Sequence, residues 1–288
     1  MFLILCALLF SADAFSFQYP EDRDYTSSDR GFAQYYTKSL YGSDRFSLTY
    51  DDGPHESFTP RILDVLKSKK AKATFFVNTD KINAATLPIL VRAIKEGHML
   101  ASHGADHANS NTLDQKAFKV GLKKSILKLR EVYKAAGKDF EAFYFRYPYG
   151  GYGRRADYHH MDAMQEVSQE LFGDNCIQFA FWDIDTADWV GDMTSADIAQ
   201  TLKAQHEGGR FYEFEEYVTQ NGKKAFRKLA RSTSRPLKGG VILQHDVHEK
   251  NIEATRLYLE YAGQMGLRID LLPAIEEFEI RPSCRFLN

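Results

Sequence analysis

From Arg45 onward the chain alternates short apolar runs with amphipathic ones, and this rhythm constrains its fold more than any other feature. "RFSLTYD", "KATFFVN", "HMLAS", "EAFYF", "IQFAFWDI" and "GVILQ" have strand length, and "RIDLL" reads as a last strand or turn. Helical text separates them. Thr59 can cap a first helix with Pro60 at its first position. "LPILVRAIKEG" closes on Gly97, and a long amphipathic helix ends at Gly137. Ser195 to Gln205 and "NIEATRLYLEYAGQMG" supply two more. Strand-then-helix units imply parallel strands with helices outside, an α/β architecture. A chain of 288 residues with 44% hydrophobic content can bury one such core, and an α/β barrel of this size is a single domain.

The flanking text reads differently. "MFLILCALLFSADA" (1–14) has an apolar run too short to span a bilayer and an Ala-Asp-Ala cleavage pattern, which predicts a secretory signal peptide. Export to the periplasm or the cell exterior follows, with no membrane span after its removal. Residues 15–44 read as an arm lying over the main domain, which runs from 45 to 288. The charged stretch 206–239 reads as an inserted flap or surface excursion. Net charge is −2, and loss of Asp13 with the leader leaves −1, so no nucleic-acid partner is expected. After leader removal two cysteines remain, Cys176 and Cys284, either paired by oxidation or free and buried.

The polar residues follow the strands. Asp51 and Asp52 end the first, and His103 ends "HMLAS" with His107 four residues on. Arg146 ends "EAFYF", Asp185 ends "IQFAFWDI", and His245 follows "GVILQ". In a parallel barrel the C-terminal strand ends form one rim, where enzymes of this architecture place their chemistry. His103 and His107 can present two imidazoles to one ion, and one carboxylate of the Asp pair can complete the set. The other can stay ionised as a base. Such a set suits Zn²⁺, or Fe²⁺ in an oxygenase. Bound zinc lowers the pKa of its water to around 7, so a neighbouring carboxylate can take that proton near neutral pH. His245 is the candidate general acid and Asp185 its expected carboxylate partner. Arg146 can pair with the base, and "RYPYGGYG" offers backbone N–H groups to a developing oxyanion.

Five ordered motifs, "TYDDGP", "HGADH", "RYPYG", "DTADW" and "ILQHD", resemble those of the NodB-homology polysaccharide deacetylases, carbohydrate esterase family 4. The resemblance covers roughly Arg45 to Pro273. It implies a distorted (β/α) barrel of about seven parallel strands and one divalent metal ion, most often Zn²⁺. Asp51 is then the general base and Asp52, His103 and His107 the metal ligands. Arg146 holds Asp51, the Tyr149 N–H stabilises the oxyanion, and Asp185 tunes His245. Trp189 and Leu243 line the pocket for the acetyl methyl and the sugar. The implied activity is removal of acetyl groups from N-acetylated sugars, with peptidoglycan N-acetylglucosamine as the expected substrate. Chitin, poly-N-acetylglucosamine and acetylxylan are alternatives. Gly104 stands where the family usually has Ser or Thr, so the metal loop is expected to rest on other contacts.

Rivals fit less well. A glycan-binding barrel needs no acid–base pair. A 2-His-1-carboxylate oxygenase usually has an antiparallel fold, and a serine esterase needs a G-x-S-x-G elbow that is absent.

Overall fold

The computed structural model describes residues 37–152 and 159–287. The expected signal peptide (1–14) lies outside them, as does the arm (15–44) up to residue 36. The element order is β1 (Arg45–Asp51), α1 (Phe58–Ser68), β2 (Thr74–Val77), α2 (Leu87–Lys95), β3 (Met99–Ser102), α3 (Gln115–Ala136), β4 (Tyr144–Phe145) and α4 (His159–Phe172). It continues with β5 (Gln178–Phe179), β6 (Ile184–Asp185), α5 (Ser195–Glu207), β7 (Gly209–Val218), β8 (Lys224–Thr233), β9 (Gly239–His245), α6 (Lys250–Met265) and β10 (Arg268–Ile269).

Seven strands pair side by side in the order β5-β4-β3-β2-β1-β9-β6, and the short β10 adds to β1. Every pairing in this sheet is parallel, so it curls into the expected α/β half-barrel. The period-2 alternation of a strand sets what faces where. On β1, Phe46, Leu48 and Tyr50 pack outward against Ile62, Leu63 and Leu66 of α1, together with Tyr258 of α6. Ser47, Thr49 and Asp51 therefore point to the barrel interior. On β3, Leu100 faces the helices while Met99 and Ala101 face the inner core, so His103 continues the inner set. On β9, Val241 and Leu243 are inner and Ile242 outer, which sends His245 inward as well.

Two expectations change and a third is sharpened. Thr59 does not cap α1: the helix begins at Phe58 after Ser57, with Thr59 inside its first turn. The Thr59 hydroxyl accepts the His55 N–H at 2.8 Å and donates to the Asp246 carboxylate, joining the helix to the end of β9. "IQFAFWDI" is not one strand but two, β5 and β6, on opposite edges of the sheet. The chain crosses the barrel seam between them, and the Arg146 guanidinium takes the carbonyls of Ala180 and Phe181 at 2.7 and 2.8 Å, where a ladder would otherwise bind them. Residues 209–233, within the expected excursion, form an antiparallel hairpin with ten residues in each strand.

The described end of the arm is tied down. Leu40 is fully buried in the inner core, and the Thr37 N–H donates to Asp183 at 2.5 Å. Cys176 and Cys284 are joined by a disulfide that fastens the C-terminal segment to the connection between α4 and β5.

Candidate active site and metal centre

Asp51 and Asp52 leave β1 in different directions. Asp51 ends the strand inside the barrel, almost fully buried. Asp52 has a positive φ of 74°, which turns its carboxylate out toward the rim. The next residue has no room for a side chain, since a Cβ on Gly53 would fall 2.1 Å from the Asp246 carboxylate.

Arg146 is fully buried and fully engaged. It donates to Asp51 Oδ1 and Thr49 Oγ1, each at 2.7 Å, besides the two seam carbonyls, and stacks over the Phe76 ring at 3.9 Å. A buried guanidinium is tolerable only with partners of this kind. The expected Arg146–Asp51 pair is therefore also a piece of the barrel wall.

The second oxygen of Asp51 lies 3.7 Å from His103 Nε2. The other ring nitrogen of His103, Nδ1, sits 2.8 Å from the Arg146 carbonyl. A carbonyl only accepts, so Nδ1 carries the proton and Nε2 presents its lone pair to the rim. Burial holds the His103 pKa below its usual value against the pull of Asp51 and Asp52, which favours the neutral, ligating form.

Asp52 Oδ1 lies 3.5 Å from His103 Nε2 and 3.0 Å from His107 Nε2. Burial opposes the Asp52 charge, but the bond to His107 and the fields of His103 and His245 overcome it and hold the carboxyl well below its ordinary pKa. These three side chains bring their donor atoms within 4.8 Å of one another, the only such cluster among the described residues. One fixed imidazole lone pair, a second imidazole and an ionised carboxylate fit a divalent cation with positions left open.

The loop carrying the histidines explains Gly104. Its φ is +83°, a conformation that costs a Ser or Thr but not glycine. The bracing comes from elsewhere: Ser102 Oγ accepts the Gly104 N–H at 3.2 Å, and the N–H groups of Thr79 and Asp80 hold the carbonyls of Gly104 and Ala105.

Tyr149 sits in the turn after β4 with φ 59°. The bonds of that turn run from Gly150 and Gly151 to the Tyr147 and Pro148 carbonyls and leave out the Tyr149 N–H. Its ring stands 4.6 Å from that of His107 and is 56% exposed. Leu243 is buried on the inner face of β9.

On the other flank, the structure does not place Asp185 on His245. The Asp185 carboxylate turns back to accept the Ala187 N–H at 2.7 Å, and burial pushes its pKa up to about 6. The partner is Asp188, three residues on and fully buried. Its Oδ1 lies 2.7 Å from His245 Nδ1, and its Oδ2 accepts the His245 N–H at 2.7 Å. Burial alone would lower the His245 pKa, but the Asp188 carboxylate overcomes it and pushes the imidazole up to about 10. The same contact keeps Asp188 low despite its own burial.

Asn251, at the start of α6, donates to the Asp188 carboxylate and to the His245 carbonyl, the latter at 2.6 Å. Sequence reasoning missed it. Its one signal is a position six residues after His245, close enough for the helix to fold back on the strand end. Trp189 is half-buried, its ring 4.8 Å from Phe214 and 4.9 Å from Phe226 of the hairpin.

Comparisons with known proteins place the chain in a family. The profile of the polysaccharide deacetylase family matches residues 41–165, a span that includes Asp51, Asp52, His103, His107, Arg146 and Tyr149. A peptidoglycan-N-acetylglucosamine deacetylase of Bacillus cereus is 30% identical over 164 residues, 56% of this chain and 68% of that protein. A chitin deacetylase of Colletotrichum lindemuthianum is 45% identical over 71 residues, 23% of this chain and 28% of its own length. The match covers only 24% and 50% of two further relatives. Among solved structures, the peptidoglycan deacetylase PdaC from Bacillus subtilis shares the fold, with a TM-score of 0.57 at 22% identity over 83% of this chain and 92% of that one. The chain belongs to the polysaccharide deacetylase family.

Proposed function

We propose that the protein is an exported, metal-dependent polysaccharide deacetylase that hydrolyses the acetamide of N-acetylglucosamine units, with peptidoglycan as the substrate. The observation that carries this reading is the placement of two opposed proton-transfer groups on one rim. A carboxylate, Asp51, is held by Arg146 at the end of β1, beside the three-donor cluster. An imidazolium, His245, is held by Asp188 at the end of β9, the neighbouring strand. A binding protein has no use for that pair.

Asp52, His103 and His107 would hold the cation, taken to be Zn²⁺ from its imidazole–carboxylate donor set. When bound, it supplies Lewis-acid polarisation of water and of the acetyl carbonyl. The chain's own residues do the rest. Asp51, with one oxygen fixed by Arg146, has the other free to take a proton from the attacking water. The Tyr149 N–H donates to the oxygen that gains charge as the carbonyl carbon becomes tetrahedral. His245 donates its proton to the departing amine nitrogen as the C–N bond breaks, releasing acetate and the free amine. A dication held by Asp52, His103 and His107 would oppose the pull of Asp188 on His245 and favour release of its proton.

Export follows from the location of such polymers and from the apolar leader in the sequence. Among the described residues no helix is long and apolar enough to cross a membrane.

The test is acetate release from N-acetylglucosamine oligomers, peptidoglycan and acetylxylan, with and without a chelator, alongside metal analysis. Release that a chelator stops and zinc restores, at about one zinc per chain, is expected. Metal-loaded protein inert on the whole panel would instead be a glycan-binding barrel.

A further inference from the structure

The order of strands along the sheet lays the site out as a row. Tyr149 follows β4 at one end. His103 and His107 follow β3, Asp51 and Asp52 follow β1, His245 follows β9, and Trp189 follows β6 at the other end. The hairpin of β7 and β8 continues the row past Trp189. Cross-strand partners in an antiparallel ladder share a face. One face of the hairpin therefore carries Phe214 opposite Lys228, Glu216 opposite Phe226, and Val218 opposite Lys224. The other face carries the ion pairs Glu213–Arg231 and Glu215–Arg227, a solvated ladder.

The first face is the one turned to the site. Phe214 and Phe226 bracket the Trp189 ring and lie 5.9 Å apart. The hairpin is pinned there: the Lys228 N–H donates to Asp192 at 2.9 Å, and Lys228 Nζ pairs with Asp197 of α5 at 2.8 Å. Phe226 nonetheless keeps 41% of its surface exposed, next to the Glu216–Lys224 ion pair at 2.9 Å. A rigid aromatic face rimmed by charged donors and acceptors matches a sugar ring, which offers one apolar C–H face and an equatorial belt of hydroxyls.

We propose that Phe226, with Glu216 and Lys224 beside it, forms a saccharide subsite that binds the polymer beyond the reacting sugar, on the general-acid side of the centre. The proposal rests on the deacetylase reading for its substrate, a β-linked N-acetylglucosamine chain. The subsite makes the enzyme favour long chains over short ones. Loss of one stacked face costs about five- to tenfold in affinity for a chain that reaches it. A disaccharide that ends at Trp189 loses nothing.

The experiment compares wild type, Phe226→Ala and Phe226→Trp, each zinc-loaded, on N-acetylglucosamine dimer and hexamer. Acetate release gives kcat and KM, and calorimetric titration gives hexamer affinity. The expected result for Phe226→Ala is a hexamer KM and Kd raised about five- to tenfold, with dimer kcat and KM at wild-type values. Phe226→Trp restores the hexamer. Unchanged dimer kinetics also show that Trp189 has kept its place. Equal hexamer KM and Kd in wild type and Phe226→Ala overturn the subsite while leaving the deacetylase intact. If no variant releases acetate, the deacetylase reading fails and the calorimetry decides: weaker hexamer binding by Phe226→Ala upholds the subsite, whereas equal or absent binding overturns it.

Discussion

The two flanks of the rim hold charge in different ways. On the base flank, Asp51 is paired with an arginine that also carries the barrel seam, bonding β1 and the Ala180–Phe181 crossing at once. On the acid flank, His245 is paired with Asp188 through contacts among the end of β9, the loop after β6 and the first turn of α6. Asp51 is thus part of the wall, while His245 is an attachment to it. Substitutions on the first flank should disturb stability and rate together; on the second they should move the rate and its pH dependence and leave the fold standing.

The largest expected effect separates chemistry from architecture within the base flank. Asp51→Asn keeps an oxygen for the Arg146 guanidinium but removes the base. Its kcat should fall by about 10²–10⁴, with zinc content unchanged. Metal lost along with activity would show that Asp51 serves the cation rather than the proton.

Arg146→Ala should act on both levels. It strands a buried carboxylate and frees the seam carbonyls, at a cost of about 3–5 kcal/mol in urea unfolding. Asp51→Asn should cost much less, because the seam bonds survive. Equal destabilisation by the two would mean that the seam contributes nothing to stability.

The same contrast explains what could be seen in the sequence. Asp51, His103 and His245 were legible because each ends an apolar strand whose period-2 alternation fixes the face it takes. The pairing of His103 and His107 is legible from i, i+4 spacing beside a carboxylate pair, whereas the choice of Asp52 over Asp51 comes from the family resemblance alone. The sequence does not decide whether Asp185 or Asp188 partners His245, because both belong to "DTADW" and alternation says nothing once β6 has ended. The choice is made by the turn, which spends Asp185 on the Ala187 N–H and leaves Asp188 to face His245. The seam was invisible for another reason. "IQFAFWDI" is apolar apart from Gln178 and Asp183, and nothing in such a run tells a strand from a buried crossing held by a side chain far off in sequence. The hairpin could have been read more sharply, since "QNGK" between two alternating runs is a strong turn signal.

Asp188→Asn tests the acid flank by pH. In the proposed mechanism His245 acts when protonated, so kcat/KM should be lost as pH rises through its pKa. Its folded value is raised from 6.5 to about 10, chiefly by the Asp188 carboxylate against burial. Without that charge the alkaline limb should drop toward 6.5 or below, and activity at pH 8 should fall by about ten- to a hundredfold. The linked stability has the same sign: His245 protonation supports the fold below pH 6.5, and this support fades as pH climbs toward 10. Wild type should therefore lose stability across that window, and Asp188→Asn should lose less. An alkaline limb that stays put would place the titrating acid somewhere other than His245.

Asn251→Ala is the finest test, because it separates the charge of Asp188 from its position. The amide fixes the Asp188 carboxylate and the His245 carbonyl, so its removal should lower kcat about three- to tenfold, the effect of one or two hydrogen bonds. The alkaline limb should not fall. A carboxylate relieved of one donor attracts the imidazolium at least as strongly, so the limb should stay in place or move slightly upward. If it falls as in Asp188→Asn, the carboxylate has swung off the imidazole, and Asn251 is what keeps the pair together. Either way urea unfolding should change far less than for Arg146→Ala, since no buried charge is stranded and the seam is untouched.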